Sequence, residues 1–330
     1  MKKIVECVPN FSEGKDQEKI TKIINSIQMR NVKLCGVASD PAHNRTVVTF
    51  AGEPDEVKEA AFGAIKTAAE VIDMSLHVGQ HPRIGATDVC PFVPISTSMQ
   101  ECVQIARELG ERVGRELEIP VFLYGEAAVT EERKLLSSIR KGEYEGLNAK
   151  LALPEWKPDY GPTRFNPTSG VSVIGARPFL VAFNINLNTG DVIVSKKIAA
   201  KIRESGTMIE GKRVPGTLKT VQALGVFIKE RNCAQVTMNL NNYNITGLYE
   251  AFEEVQREAK RLGYEIMDAE IIGVVPKAAL VEAGRRWTKK DFGRELSEVS
   301  LIEMAVKELK LRESYGADFR SIVLEYILGV

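Results

Sequence analysis

The sequence predicts an α+β protein of two related subdomains, each a mixed sheet covered mainly on one face by helices. Three observations carry that prediction. Short strand-like runs alternate with longer segments of helical apolar period. The order of these elements restarts halfway along the chain. Between the two runs, "EWKPDYGPTRFNPTSG" packs three prolines and two glycines into sixteen residues, which reads as a domain boundary or interdomain loop.

The first half opens with "KKIVECVP", a short apolar strand ended by Pro9. "DQEKITKIINSIQ" follows as a helix, because Ile20, Ile23, Ile24 and Ile27 share one face. "RTVVTFAG" is β-branched and closes on glycine, so it reads as a strand. "PDEVKEAAFGAIKTAAEVIDM" begins with proline and acids, which favour a helix start, and continues with helical period. "SMQECVQIARELGERVGREL" places Cys102, Ile105, Ala106, Leu109 and Val113 on one stripe, and "IPVFLYGEA" is a compact strand.

In the second half "FLVAFNINLNTG" is a strand and "DVIVSKKIAAKIRESG" a helix. "AQVTMNLNNYNITG" is the next strand, "LYEAFEEVQREAKRLG" a helix and "EIIGVVP" a strand. Laying Ile4–Gly14 over Leu180–Gly190 aligns Val5 with Val181, Asn10 with Asn186, Phe11 with Leu187 and Gly14 with Gly190. Both copies continue as helix, strand, helix, which points to a duplication.

Length and composition narrow the function classes. The chain has 330 residues, enough for two domains, with 44% apolar and 27% charged residues. Lys+Arg and Asp+Glu are both 44, which argues against bulk attraction to nucleic acid or an anionic membrane. No apolar run approaches the ~18 residues of a membrane span, and the first residues lack a signal-peptide core. Cys7, Cys35, Cys90, Cys102 and Cys233 are scattered, odd in number and form no CxxC, so a reduced, cytoplasmic setting is expected.

"LHVGQHPRIGATDVCPFVPI" (76–95) holds His77 and His81, two of only three histidines. Gly79, Pro82 and Gly85 make it a loop rather than a helix. A metal site could draw on His77, His81, Asp88 and Cys90, but the loop has none of the compact zinc spacings, and no metal is expected. Cys90 could pair with His81 as a nucleophile; between Val89 and Pro91-Phe92 it reads better as a buried apolar residue. His77 follows a helical segment and reads as a helix C-terminal histidine. His81 precedes a proline, which holds its backbone extended, and Arg83 follows. An imidazole on a rigid loop beside a cation suits acid–base catalysis near neutrality, and a structural histidine is the alternative. His43, with Asp40 and Arg45 close by, is either an ordinary loop histidine or a supporting partner. Asn10 and Gly14 suit a tight strand-to-helix turn, with Ser12 as a helix cap.

"VECVPNFSEG", "HPRIGATDVCPF", "VFLYGEAA" and "GARPFLVAFNINL", in that order, resemble glutamate formimidoyltransferase, the transferase half of formimidoyltransferase-cyclodeaminase. The resemblance covers nearly the whole chain. It implies two ferredoxin-like α/β subdomains (1–177 and 178–300), a homodimer and a folate site in the groove between subdomains. Residues 301–330 read as a helical tail with no cyclodeaminase, so a stand-alone transferase passing its product to a separate cyclodeaminase is expected.

The implied reaction moves the formimino group of N-formimino-L-glutamate to N5 of tetrahydrofolate and releases glutamate, a step of histidine degradation. Tetrahydrofolate is a co-substrate, and no tightly bound cofactor is expected. The family's catalytic histidine falls on His81. Its folate-contacting stretch falls on Pro162, Thr163, Arg164, Phe165, Asn166, Pro167, Thr168, Ser169, Gly170 and Val171, where Phe165 offers a stacking face.

The substrates bring at least three carboxylates, which makes Arg45, Arg83, Arg164 and Arg177 candidate ligands. A cationic amidine favours a carboxylate, for which Asp40 is the choice, although the mammalian pattern has its acid two positions earlier, at Ala38 here. Two other readings stay open: a 5-formyltetrahydrofolate–glutamate formyltransferase, and a non-enzymatic folate-binding protein.

Overall fold

The computed structural model describes all residues except 1, 2, 42, 80, 292–295, 312–318 and 330, and the chain divides into two compact units, Met1–Pro178 and Phe179–Val330. The first strand line of the first unit is split into β1 (Val5–Cys7) and β2 (Asn10–Phe11). Pro9, between them, has no N–H to give a ladder. α1 (Gln17–Gln28) starts on the Asp16 side chain, which accepts from Glu18 N and Lys19 N, and buries Ile20, Ile23 and Ile27. β3 (Val32–Asp40) and β4 (Arg45–Gly52) form a hairpin. α2 (Pro54–Val71) has proline in its first turn, and β5 (Thr87–Pro94) completes a β-α-β-β-α-β unit.

The strands lie in the order β3-β4-β1/β2-β5, all antiparallel. That is the ferredoxin-like order, second-third-first-fourth. After it the chain adds α3 (Met99–Glu116), capped reciprocally by Ser98 and Glu101, then β6 (Val121–Gly125) and β7 (Ser172–Ala176). β7 pairs in parallel with β5 on one side and with β6 on the other. α1, α2 and α3 pack on one face over Val5, Cys7, Phe50, Cys90 and Phe92. The opposite face of the added strands is covered by α4 (Glu131–Lys134), α5 (Leu136–Arg140) and α6 (Leu147–Leu151), with Ile139, Leu147 and Leu151 against Phe122, Tyr124 and Val173.

The second unit repeats the plan. β8 (Val181–Leu187), α7 (Val192–Ile202), β11 (Val221–Ile228), β12 (Cys233–Leu240), α8 (Leu248–Arg261) and β13 (Ile266–Ile272) form an antiparallel sheet in the order β11-β12-β8-β13, again second-third-first-fourth. A small hairpin, β9 (Thr207–Ile209) and β10 (Lys212–Val214), is inserted before β11. The overlaid stretches of the sequence are therefore the first strands of equivalent sheets.

On β8 and β13, Asn186 donates to Asp268 (2.7 Å), and Arg231 pairs with the same carboxylate; Gln235 of β12 donates to Asn186 (2.9 Å). α9 (Lys277–Asp291) packs with α10 (Glu298–Glu308) so closely that a Cβ on Gly284 would lie 2.1 Å from Leu301 O. With Leu301, Ile302, Ala305 and Val306 buried, α10 is part of this unit's packing. α11 (Leu324–Leu328) follows a bridge from Val275 to Val323.

Two local expectations are corrected. The proline-rich segment is no boundary but a loop of the first unit. Val121 N donates to Tyr160 O (3.0 Å), and Gly161, at φ +79°, nests on Gly114 of α3. α2 ends at Val71 rather than Met74: Ile72 is extended, and the Asp73 side chain closes a separate 3₁₀ turn, Met74–Leu76, by accepting from Ser75 N. His77 therefore follows a single turn with little dipole, not the end of an α-helix. No helix of the described residues is long and apolar enough to cross a membrane.

Candidate active site

The histidine loop runs from the 3₁₀ turn to β5 and is tied down at several points. Asn44, at the β3–β4 turn, donates to Val78 O (3.0 Å) and accepts from Gly14 N (2.9 Å). A Cβ on Gly79 would lie 2.4 Å from His43 O, so the approach of the two loops requires glycine. Asp88 accepts from Ile84 N (2.9 Å), turning the loop back onto β5. Ser12 N donates to Ala86 O (2.9 Å) and its hydroxyl to Gly85 O (2.7 Å). Ser12 is thus a strap on this loop and not the cap of α1, a role taken by Asp16. Ala86 N donates to Ser169 O and Val171 N to Ile84 O, both at 2.9 Å, which laces in the end of the 162–171 segment.

These ties shape a small cleft lined by Phe11, Ser12, His43, Asn44, Arg45, His77, His81, Arg83 and Asp88. His81 is half-buried in it. Burial, first, and then the guanidinium groups of Arg45 and Arg140 pull its pKa down to about 4, against the opposing pull of Asp88. At neutral pH His81 is therefore a neutral imidazole, and in the unliganded protein a weaker base than the near-neutral group expected from the sequence. Its ring lies 6.2 Å from that of His43, edge to face. Asp40 accepts from His43 N (3.0 Å) and pairs with His43 Nδ1, which ties it to the ring beside His81.

The candidate arginines divide. Arg45 is half-buried in the cleft and makes no ion pair among the described residues; burial and Arg140 lower its pKa. Arg83 is buried but already engaged. It donates to His77 Nδ1 (3.2 Å) and His77 O (3.2 Å), to Glu143 (3.2 Å) and to both carboxylate oxygens of Glu145 (2.9 and 2.6 Å). Its guanidinium fork is spent on the fold. His77 completes that clamp, since its Nε2 meets Asn44 O (3.0 Å) while Nδ1 accepts from Arg83. Arg164 is exposed and pairs with Glu118 (3.2 Å), while Arg177 donates to Pro178 O (3.0 Å) and faces the buried Tyr124; neither lines the cleft.

Within 162–171, Pro162 is half-buried and Thr163 exposed. Phe165 leans on Tyr144, ring centroids 5.4 Å apart, and Tyr144 donates to Pro167 O (2.5 Å). Asn166 Oδ1 accepts from Thr168 N (3.2 Å) and Ser169 N (3.0 Å), and Gly170, at φ +64°, bridges to Gly85.

Two residues not singled out from the sequence lie outside the cleft lining but bear on it. Arg140 pairs with Asp88, which is 2% exposed, from the end of α5. Lys150 sets that end of the helix, since its ammonium donates to Ser138 O (3.2 Å), Ile139 O (2.5 Å) and Lys141 O (3.0 Å) while lying 3.8 Å over the Trp156 ring. Asp88, considered above only as a metal ligand, is a counter-ion and a loop anchor. Cys90 is buried with its sulfur 3.5 Å from that of Cys7, away from the cleft lining. Among the described residues no group of three or more His, Cys, Asp and Glu side chains could hold a metal ion.

Residues 4–177 match the formiminotransferase domain, N-terminal subdomain, and residues 182–329 match the formiminotransferase domain. Glutamate formimidoyltransferase of Streptococcus pyogenes serotype M1 is 44% identical over 88% of this chain and 96% of its own length; that of Thermoplasma acidophilum is 46% identical over 86% and 91%. Formimidoyltransferase-cyclodeaminase of Mus musculus is 45% identical over 99% of this chain, which spans 60% of that protein. The chain belongs to the formiminotransferase family, matched along both of its units.

Proposed function

We propose that the protein is a glutamate formimidoyltransferase that moves the formimino group of N-formimino-L-glutamate to N5 of tetrahydrofolate and releases L-glutamate. The observation that carries the reading is His81: a neutral imidazole held on a laced loop, in a cleft flanked by guanidinium groups. The names of the Streptococcus and Thermoplasma relatives support the choice of reaction.

The chemistry asks for one proton to move twice. N5 attacks the amidine carbon, forms a C–N bond and gives up its proton to His81. The imidazolium then returns that proton to the glutamate nitrogen as the C–N bond to it breaks. A base that is neutral before attack is ready for the first transfer, and the protonated form it becomes is the acid for the second. Asp40 orients His43 beside His81, and the 162–171 segment takes the folate, with Phe165 against the ring system. Arg45 is our choice among the four candidate arginines for a substrate carboxylate. A homodimer in the cytoplasm, with the product consumed by a cyclodeaminase, belongs to the same proposal.

The test is incubation with formiminoglutamate and tetrahydrofolate, and in parallel with 5-formyltetrahydrofolate and glutamate, following glutamate released or consumed. Turnover with the first pair alone is expected. Turnover with the second pair alone moves the protein to formyl transfer, and turnover with neither leaves a folate-binding protein.

A further inference from the structure

Two guanidinium groups crowd His81. They belong to Arg45 and Arg140 and act on its ring; Asp40 acts on Arg45, and the carboxylate that acts on both arginines is Asp88. That carboxylate is shared already: one oxygen accepts from Ile84 N (2.9 Å) and the other from Arg140. Nε of Arg45 and Nε of Arg140 are both buried without a hydrogen-bond partner among the described residues. Buried donors of charged groups are costly to leave unpaired. Such an arrangement is stabilised by a ligand anion.

We propose that Arg140, together with Arg45, binds the α-carboxylate of the glutamyl donor, with Asp88 as the fixed counter-ion that holds Arg140 in place. The inference rests on the proposed reading of the site as acting on a formimino-amino acid. The α-carboxylate is singled out by connectivity, because its carbon and the departing nitrogen are bonded to the same Cα. An anion held beside His81 therefore brings that nitrogen to the imidazole, whereas the γ-carboxylate and the folate tail lie several bonds away. The Lys150 ammonium at the α5 carbonyls fixes where Arg140 leaves the helix, so the pair is preorganised.

The experiment compares wild type, Arg140→Lys and Arg140→Gln with formiminoglutamate and with two analogues, one carrying an amide for the α-carboxylate and one for the γ-carboxylate. The α-amide is expected to raise KM by about ten- to a hundredfold on the wild type and to lose little further on Arg140→Gln, with KM for tetrahydrofolate unchanged within about twofold. Arg140→Lys, which keeps a charge for Asp88, serves should Arg140→Gln fail to fold. A loss confined to the γ-amide, or a rise in KM for tetrahydrofolate instead, overturns the assignment. If the wild type does not turn over formiminoglutamate, the proposed function fails separately. Binding of glutamate against its α-amide then decides this inference: a preference of about tenfold or more that Arg140→Lys diminishes supports it, and equal binding overturns it.

Discussion

Gly85→Ala tests how the two functional loops are joined. A Cβ on Gly85 would lie 2.0 Å from Val171 O and 2.9 Å from Ser169 O, where ordinary contact begins at 3.4 Å. The 162–171 segment must therefore retreat by about 1 Å or more, breaking the Ala86 N to Ser169 O and Val171 N to Ile84 O bonds. Each lost bond costs about 0.5–1.5 kcal/mol and the overpacking about 1–3 kcal/mol, so about 2–6 kcal/mol in all. For a unit of this size the melting temperature should fall by roughly 5–20 °C. His81 is four residues from the clash, and a displacement of about 1 Å at a reacting group can cost about a hundredfold in rate. The assay is thermal unfolding followed by steady-state kinetics at a temperature where the variant is folded. Gly36→Ala is the control, since its Cβ meets nothing within 4 Å. Wild-type melting and activity in Gly85→Ala would refute the coupling of the loops.

Two further predictions follow from charge. His81 titrates at about 4 in the fold, below its ordinary 6.5, so its contribution to stability is full above 6.5 and is lost as pH falls through 4. The groups facing it are Arg45, Arg140, Asp88 and His43; a substrate carboxylate on the arginines relieves their repulsion, so the acid limb of kcat should lie at higher pH than that of kcat/KM. Coincident limbs would contradict this. In the second unit, Arg231→Met leaves the fully buried Asp268 with Asn186 as its remaining named donor. It should cost about 3–5 kcal/mol in denaturant unfolding, toward the lower end because Arg231 is 39% exposed; an unchanged midpoint would refute it.

Much of the architecture was legible in local pattern. The Ile20, Ile23, Ile27 stripe and the overlay of Ile4–Gly14 on Leu180–Gly190 pointed to a helix face and to equivalent strands, because both depend on short-range period. The end of α2 was not, since Ile72 and Met74 continue the apolar pattern while the backbone turns extended at Ile72. At the site, the glycines and prolines around His81 announced a fixed loop. Which guanidiniums are already spent could not be read from proximity. Arg83 is two positions from His81, yet its side chain turns back to His77, Glu143 and Glu145. Arg140 reaches the site from 52 residues beyond Asp88, and only the tertiary fold brings them together. Asp88, in "GATDVCPF", carries no local mark that separates a counter-ion from a ligand.

The central claim is that His81 moves the proton. Its most direct test is single-turnover transfer from formiminoglutamate to tetrahydrofolate by His81→Ala, with and without added imidazole, beside the wild type. A rate lower by about a hundred- to ten-thousandfold, partly restored by imidazole, is the result expected. An undiminished rate in His81→Ala would contradict the account, whatever the substrate pair.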